Sequence, residues 1–289
     1  FGCNVVWSKS GYPAVEPVLK NPKDITAMKK PDVRGGLMGK ILEFTQIFQE
    51  ETSNKYPICL SEHMSPLEIV FTLMETTQVL YALMDEPKLI HDLLNIVTET
   101  TISFISEQRK VAHDYNLGMC IASTGEYIPD GYGIWLSADS IVNLSPELFV
   151  EYFAPYANIL SEEYGGVFLH SCGNFEHLID SFDAIKNLRG IDFGASETSF
   201  ELLEEAFGGT LVLAPHLGLN DRIVFDSLEH YSRRLVEISE TNTGKYFQIQ
   251  DINSLGYGTD VVDKIGSYYS SILDEEHIRL LTDLFRERK

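Results

Sequence analysis

Residues 165–216, GGVFLHSCGNFEHLIDSFDAIKNLRGIDFGASETSFELLEEAFGGTLVLAPH, decide the fold. Three apolar runs, 165–170, 188–193 and 210–215, read as strands. Helix signals lie between them. Asn174 caps a short helix, Thr198-Ser199-Phe200-Glu201 is a capping box, and Gly208-Gly209 stops the helix it opens. Apolar strands alternating with amphipathic helices imply a parallel sheet covered by helices.

The same rhythm extends outward. Downstream, Asp226-Ser227-Leu228-Glu229 caps a helix to about Glu240, KYFQIQ (245–250) is a strand, and helices close the chain. Upstream, PICL (57–60) and GMCIAS (118–123) read as strands, and Ser145-Pro146-Glu147 opens a helix to about Tyr164. Ser65-Pro66-Leu67-Glu68 is a capping box with Pro at the first helical position. Leu67, Val70, Phe71, Met74, Tyr81 and Met84 then form one helical stripe. A second helix runs from Asp85 to about His113 with Ile90, Leu93, Leu94, Val97 and Ile105 inward. Residues 8–36, rich in Pro, Gly, Lys and Asp, read as a surface arm with little regular structure.

Two parallel architectures fit this order. A dinucleotide-binding sheet needs glycines at the turn after its first strand. Here Gly165-Gly166 and Gly208-Gly209 precede strands, and there is no Walker A motif. The sequence therefore predicts a (β/α)₈ TIM barrel, a fold of roughly 250 residues, as a single domain over 1–289 with an N-terminal arm at 1–56 and βα units at 57–289. Only six strands are legible, ending near 60, 122, 169, 193, 214 and 249, and the chain starts at Phe1, not Met. The expectation is a barrel incomplete at its N-terminus, its first strand missing or weak near Asn4 to Trp7.

Composition bounds the partners. The 22 basic and 43 acidic residues give a net charge of −21. That argues against nucleic acid and anionic membrane surfaces as partners. Leu67 to Met84 is interrupted by Glu68, Glu75 and Gln78, which spoils it as a membrane span. The four cysteines, Cys3, Cys59, Cys120 and Cys172, form no CxxC pair and read as reduced and buried, which predicts a cytoplasmic protein.

In a barrel the C-terminal strand ends build the site. Here those ends carry Glu62 and His63, Ser123 to Glu126, His170 to Asn174, Ser196 and Glu197, His216, and Gln250 with Asp251. His170 and Cys172 are two apart in extended chain, so both side chains face one way and can meet one metal. An imidazole with a thiolate suits zinc. Glu126, His216 and His63 are the candidate acid–base groups. Tyr127, Tyr132 and Trp135 read as a lid or pocket wall, or else a packed loop. His91, His113, His230 and His277 lie on helices and read as surface residues. Asp139, ahead of the Ser145 helix, receives no role.

LSPELFVEYFAPYANIL (144–160) followed by VFLHSCGNFEHLID (167–180) resembles the uroporphyrinogen decarboxylase superfamily, as do the paired helices of SPLEIVFTLMETTQVLYALMDEPKLIHDLLNIVTETTISFISEQ (65–108). The resemblance implies a (β/α)₈ barrel with its site at the mouth, and either decarboxylation or zinc-dependent methyl transfer involving a cobamide. The methyltransferase branch is similar in its His-x-Cys pair, here His170 and Cys172, and takes a further Cys from a late strand end. No Cys follows Cys172 in this chain. Asp251 is the expected third ligand, with His216 or Glu126 as alternatives. The decarboxylase branch relies on an N-terminal arginine-rich segment to bind its polycarboxylate tetrapyrrole. None is visible here, and none of the nine arginines lies at a strand end. The expected function is zinc-dependent methyl transfer from a corrinoid, carried by a partner protein, to a small thiol-type acceptor. The alternatives are metal-independent decarboxylation of a porphyrinogen and a non-catalytic barrel that binds a tetrapyrrole or corrinoid. An oligomer is compatible with the periodicity and not demanded by it.

Overall fold

The computed structural model describes residues 1–7, 13–53, 60–112, 119–120, 127–128 and 131–216, with isolated positions 230, 233, 234 and 237. The chain divides into two compact units, Phe1–Phe193 and Gly194–Lys289.

The first unit opens with a hairpin. Strand β1 (Asn4–Trp7) pairs antiparallel with β2 (Pro13–Glu16). A strand does form where a weak first barrel strand was expected, but it joins a hairpin and not the parallel sheet. A 3₁₀ turn follows at Pro22–Ala27, capped by the Asn21 side chain. Helix α1 (Gly36–Glu51) lies inside the stretch read as an arm. It buries only Leu42, Thr45 and Gln49, with Phe44 and Phe48 exposed, so its sequence shows no clean apolar stripe.

The long stripe from Leu67 to Met84 is two helices, α2 (Pro66–Leu73) and α3 (Thr76–Asp85). The break has a tertiary cause. The Leu19 N–H donates to the Leu73 carbonyl at 2.9 Å, and Leu19 bridges Met74 in parallel. Met74 is extended, so the helical phase restarts beyond it. Helix α3 then buries Val79, Ala82 and Leu83, and leaves Tyr81 and Met84 exposed. Helix α4 (Pro87–Val111) is continuous, and Ile90, Leu93, Leu94, Val97 and Ile105 are all buried as its periodicity predicts. Each such burial contributes roughly 1.5–3 kcal/mol.

Strands β3 (Met119–Cys120) and β4 (Tyr127–Ile128) form a short antiparallel pair where a longer strand was expected. Strand β5 (Ile134–Ser137) falls where the sequence reads as a lid, pocket wall or packed loop around Trp135. It pairs in parallel with β6 (Val167–Ser171), and β6 with β7 (Leu188–Gly194). A single parallel bridge, Met64↔Ser137, continues the pairing on the other side of β5. Among the described residues of this unit these strands form an open parallel sheet.

Between β5 and β6 runs a helical stretch, α5 (Pro146–Leu148), a π segment (Phe149–Phe153) and α6 (Ala154–Tyr164). Pro155 has no N–H, and the Ala154 N–H reaches five residues back to the Phe149 carbonyl. The π segment presents Phe149 and Phe153 to a buried aromatic cluster with Phe175 and Phe182. Gly165 ends α6 at φ +87°, and a Cβ there would lie 2.0 Å from the Gly131 carbonyl oxygen.

In the second unit α7 (Phe200–Phe207) is capped by Ser199, whose hydroxyl accepts the Leu202 N–H at 3.3 Å. Strand β8 (Val212–His216) follows. The expected strand at 245–250 lies outside the described residues. No helix among the described residues is long and apolar enough to cross a membrane.

Candidate metal centre

Register sets the site. Ser137 pairs with His170, and His170 with Asp192, so the three side chains form one row across β5, β6 and β7. The His170 Nδ1 donates to Asp192 Oδ1, and Asp192 is buried. That bond fixes the ring and aims Nε2 toward Cys172, just past β6, whose Sγ lies 3.5 Å away. The expectation that residues two apart would meet is met in position. Gly173 then turns the chain at φ +93°, where a side chain would be strained and a Cβ would press on Val142. The Asn174 side chain accepts the Glu176 N–H at 3.1 Å and opens the 3₁₀ helix Glu176–Ala184.

A second carboxylate joins this pair from the turn after β5. The Ala138 N–H donates to the His170 carbonyl at 2.8 Å. Asp139 Oδ1 accepts the Cys172 N–H at 2.7 Å and lies 3.6 Å from His170 Nε2. The next N–H, of Ser140, donates to Glu68 Oε2 at 2.7 Å. Trp135 stacks on the imidazole with ring centroids 5.5 Å apart and planes 29° apart. It is buried within β5, a strand residue and not part of a loop.

The charges are coupled. Burial disfavours an imidazolium at His170, but the bonds to Asp192 and Cys172 outweigh it and push its pKa up to about 11. Burial raises the Glu68 pKa above the ordinary carboxyl value, the Ser140 bond opposes this, and the Asp139 charge adds to the rise.

The donor set fits a zinc ion. The ligand atoms of Asp139, His170 and Cys172 all lie within 4.8 Å of one another. Zinc–nitrogen and zinc–oxygen bonds of about 2.0–2.2 Å and zinc–sulfur bonds of about 2.3 Å, in a tetrahedron, separate ligands by roughly 3.3–3.8 Å. The 3.5 Å and 3.6 Å separations from His170 Nε2 have that size. A buried carboxylate holding the far nitrogen is the usual support for a metal-bound histidine.

Two further candidates, His63 and His216, lie among the described residues. His63 is buried with its ring edge-on to Phe104 at 6.0 Å, and its Nε2 has no hydrogen-bond partner among the described residues. Desolvation lowers its pKa to about 4. His216 closes β8 in the second unit and is buried. Glu126 and Asp251 lie outside the described residues, as do His113 and His277. His91, expected at the surface, is half-buried and shares a 2.8 Å hydrogen bond with the Tyr156 hydroxyl. Cys3 and Cys172 are half-exposed, not buried. Sequence reasoning missed Asp139, Glu68 and the stacking of Trp135. Asp139 looks like any turn aspartate, and its partner is 33 residues away.

Residues 1–199 match the family model for uroporphyrinogen decarboxylase. No curated protein matches the chain. Among solved structures the fold is similar to that of a methyltransferase from Methanosarcina mazei, with a TM-score of 0.56 at 17% sequence identity. The similarity covers 74% of this chain and 59% of that one, so this chain spans less than two thirds of that protein's length.

Proposed function

The chain belongs to the uroporphyrinogen decarboxylase family, and from that membership we propose a zinc-dependent methyltransferase, which moves a methyl group from a corrinoid to a small thiol acceptor. The observation that carries this reading is the meeting of nitrogen, sulfur and oxygen donors from His170, Cys172 and Asp139 within 4.8 Å. Held there, zinc would supply Lewis acidity that lowers the pKa of an acceptor thiol.

The chain's own residues prepare the site. Asp192 takes the Nδ1–H, so the lone pair used for binding is the one at Nε2. Trp135 covers one face of the imidazole and keeps water off it. Asp139 and Gly173 fix the turn that carries the thiol. The corrinoid would arrive on a partner protein, with the charge of −21 steering the encounter toward a basic surface.

Decarboxylation of a porphyrinogen is less well supported. A polycarboxylate substrate needs matching cations, since unpaired buried carboxylates cost several kcal/mol each. The three arginines of the first unit are engaged elsewhere. Arg34 pairs with Glu107, Arg109 lies 5.3 Å over the Tyr164 ring, and Arg189 donates to the Gly165 carbonyl at the other end of β6.

Metal analysis of protein purified without chelator tests the proposal. One zinc per chain is expected, and His170→Ala or Cys172→Ala should remove it together with methyl transfer to a thiol. Full activity in a zinc-free double variant would sink the reading.

A further inference from the structure

We propose that Glu68 is a positioning residue for the metal centre: by holding the Ser140 N–H it sets the turn that presents Asp139 to His170 and Cys172. This rests on the metal-centre reading above.

The capping box at Ser65 and Glu68 only half forms. The Ser65 hydroxyl accepts the Glu68 N–H at 3.1 Å, as the motif requires. The reciprocal bond would take the Ser65 N–H to the Glu68 carboxylate. That N–H instead donates to the Ser137 carbonyl at 2.7 Å, as part of the Met64–β5 pairing. The carboxylate is thereby released from capping, and Oε2 accepts the Ser140 N–H, 72 residues away. A charged acceptor makes a stronger bond than a neutral one, and the first turn of α2 favours a negative charge.

Three consecutive residues therefore have fixed partners. Ala138 N–H is bound to the His170 carbonyl, the Asp139 carboxylate to the Cys172 N–H, and the Ser140 N–H to Glu68. The first two tie the turn to the His170–Cys172 strand end. The third anchors it to a separate element, α2. Without it the turn can pivot about Asp139, and the 3.6 Å approach of Asp139 to His170 Nε2 is no longer held from both sides.

Asp139 and Asp192 lie against the two nitrogens of the His170 imidazole. Glu68 thus contributes geometry through Ser140, without being a ligand.

Zinc affinity is measured by competition with a chromophoric chelator, with zinc alone as the probe. Glu68→Ala is expected to weaken binding about 10-fold, the lower end for residues that support metal ligands. Glu68→Asp, which keeps the charge and the helix start but falls short of Ser140, should weaken it by a similar factor. Glu68→Gln, whose amide oxygen can still accept the Ser140 N–H, should restore most of the affinity. In an Asp139→Ala background Glu68→Ala should add less than about 2-fold, because the residue it positions is gone. Cobalt(II) spectra should keep the thiolate charge-transfer band in every Glu68 variant and change only the ligand-field bands. Melting temperatures confirm that each variant is folded. Unchanged affinity in Glu68→Ala and Glu68→Asp overturns the proposal while the metal reading stands, and so do fully additive effects with Asp139→Ala. A wild-type protein that takes up no zinc overturns the metal reading, and this proposal with it.

Discussion

His170 and His63 show how environment separates two residues of one type. His170 has a buried carboxylate at Nδ1 and a thiol at Nε2, and holds its proton up to about pH 11 in the metal-free protein. Zinc must displace that proton, so zinc affinity rises with pH across this range. His63 is buried edge-on to Phe104, its Nε2 has no hydrogen-bond partner among the described residues, and it remains neutral down to about pH 4. The unfolded chain takes up a proton at His63 near pH 6.5 and the folded chain does not. Stability from this group is therefore complete above pH 6.5 and is lost as pH falls toward 4, by about 3 kcal/mol. Urea midpoints at pH 7 and pH 4 should differ less in His63→Leu than in the wild type. Equal losses in both proteins would show that His63 is not a neutral core residue. At this scale the sequence named His170 and Cys172, because both sit in one extended segment where spacing fixes direction. It could not name Asp139 or Glu68, whose partners are 33 and 72 residues away.

Elements were legible where one periodicity ran unbroken. Helix α4 has 25 residues, and the positions expected to face inward do so. The stripe from Leu67 to Met84 failed because Leu19, from a distant segment, binds at Leu73–Met74 and resets the phase. Propensity alone gave no warning, since the break is made by an incoming backbone partner and not by a glycine or proline. Strand β5 reads as loop in the sequence, yet it carries Trp135 and leads into Asp139. The junction between α6 and β6 makes a specific prediction. Gly165→Ala would combine φ +87° with a Cβ 2.0 Å from the Gly131 oxygen, so backbone must move. A loss of more than about 1 kcal/mol in chemical denaturation is expected. An unchanged midpoint would mean that the Gly131 turn yields freely.

For the molecule as a whole, the donors and the residues that hold them come from α2, β5, β6 and β7, so ligand binding favours the folded chain. Zinc at 100 times its dissociation constant should stabilise the protein by about 2.7 kcal/mol. The melting temperature should rise with zinc in the wild type and stay fixed in Cys172→Ser. A rise of equal size in that variant would place the zinc elsewhere. The amino-acid sequence by itself determined the βα alternation, the inward faces of the long helices and the His-x-Cys pair. Each follows from periods of 2.0 or 3.6 residues within one continuous segment. Tertiary structure alone decided the strand order β5–β6–β7, the break between α2 and α3, and the recruitment of Asp192, Asp139 and Glu68 around His170. Those depend on register between segments far apart in the chain, and register is set by packing and hydrogen bonding that no local pattern encodes.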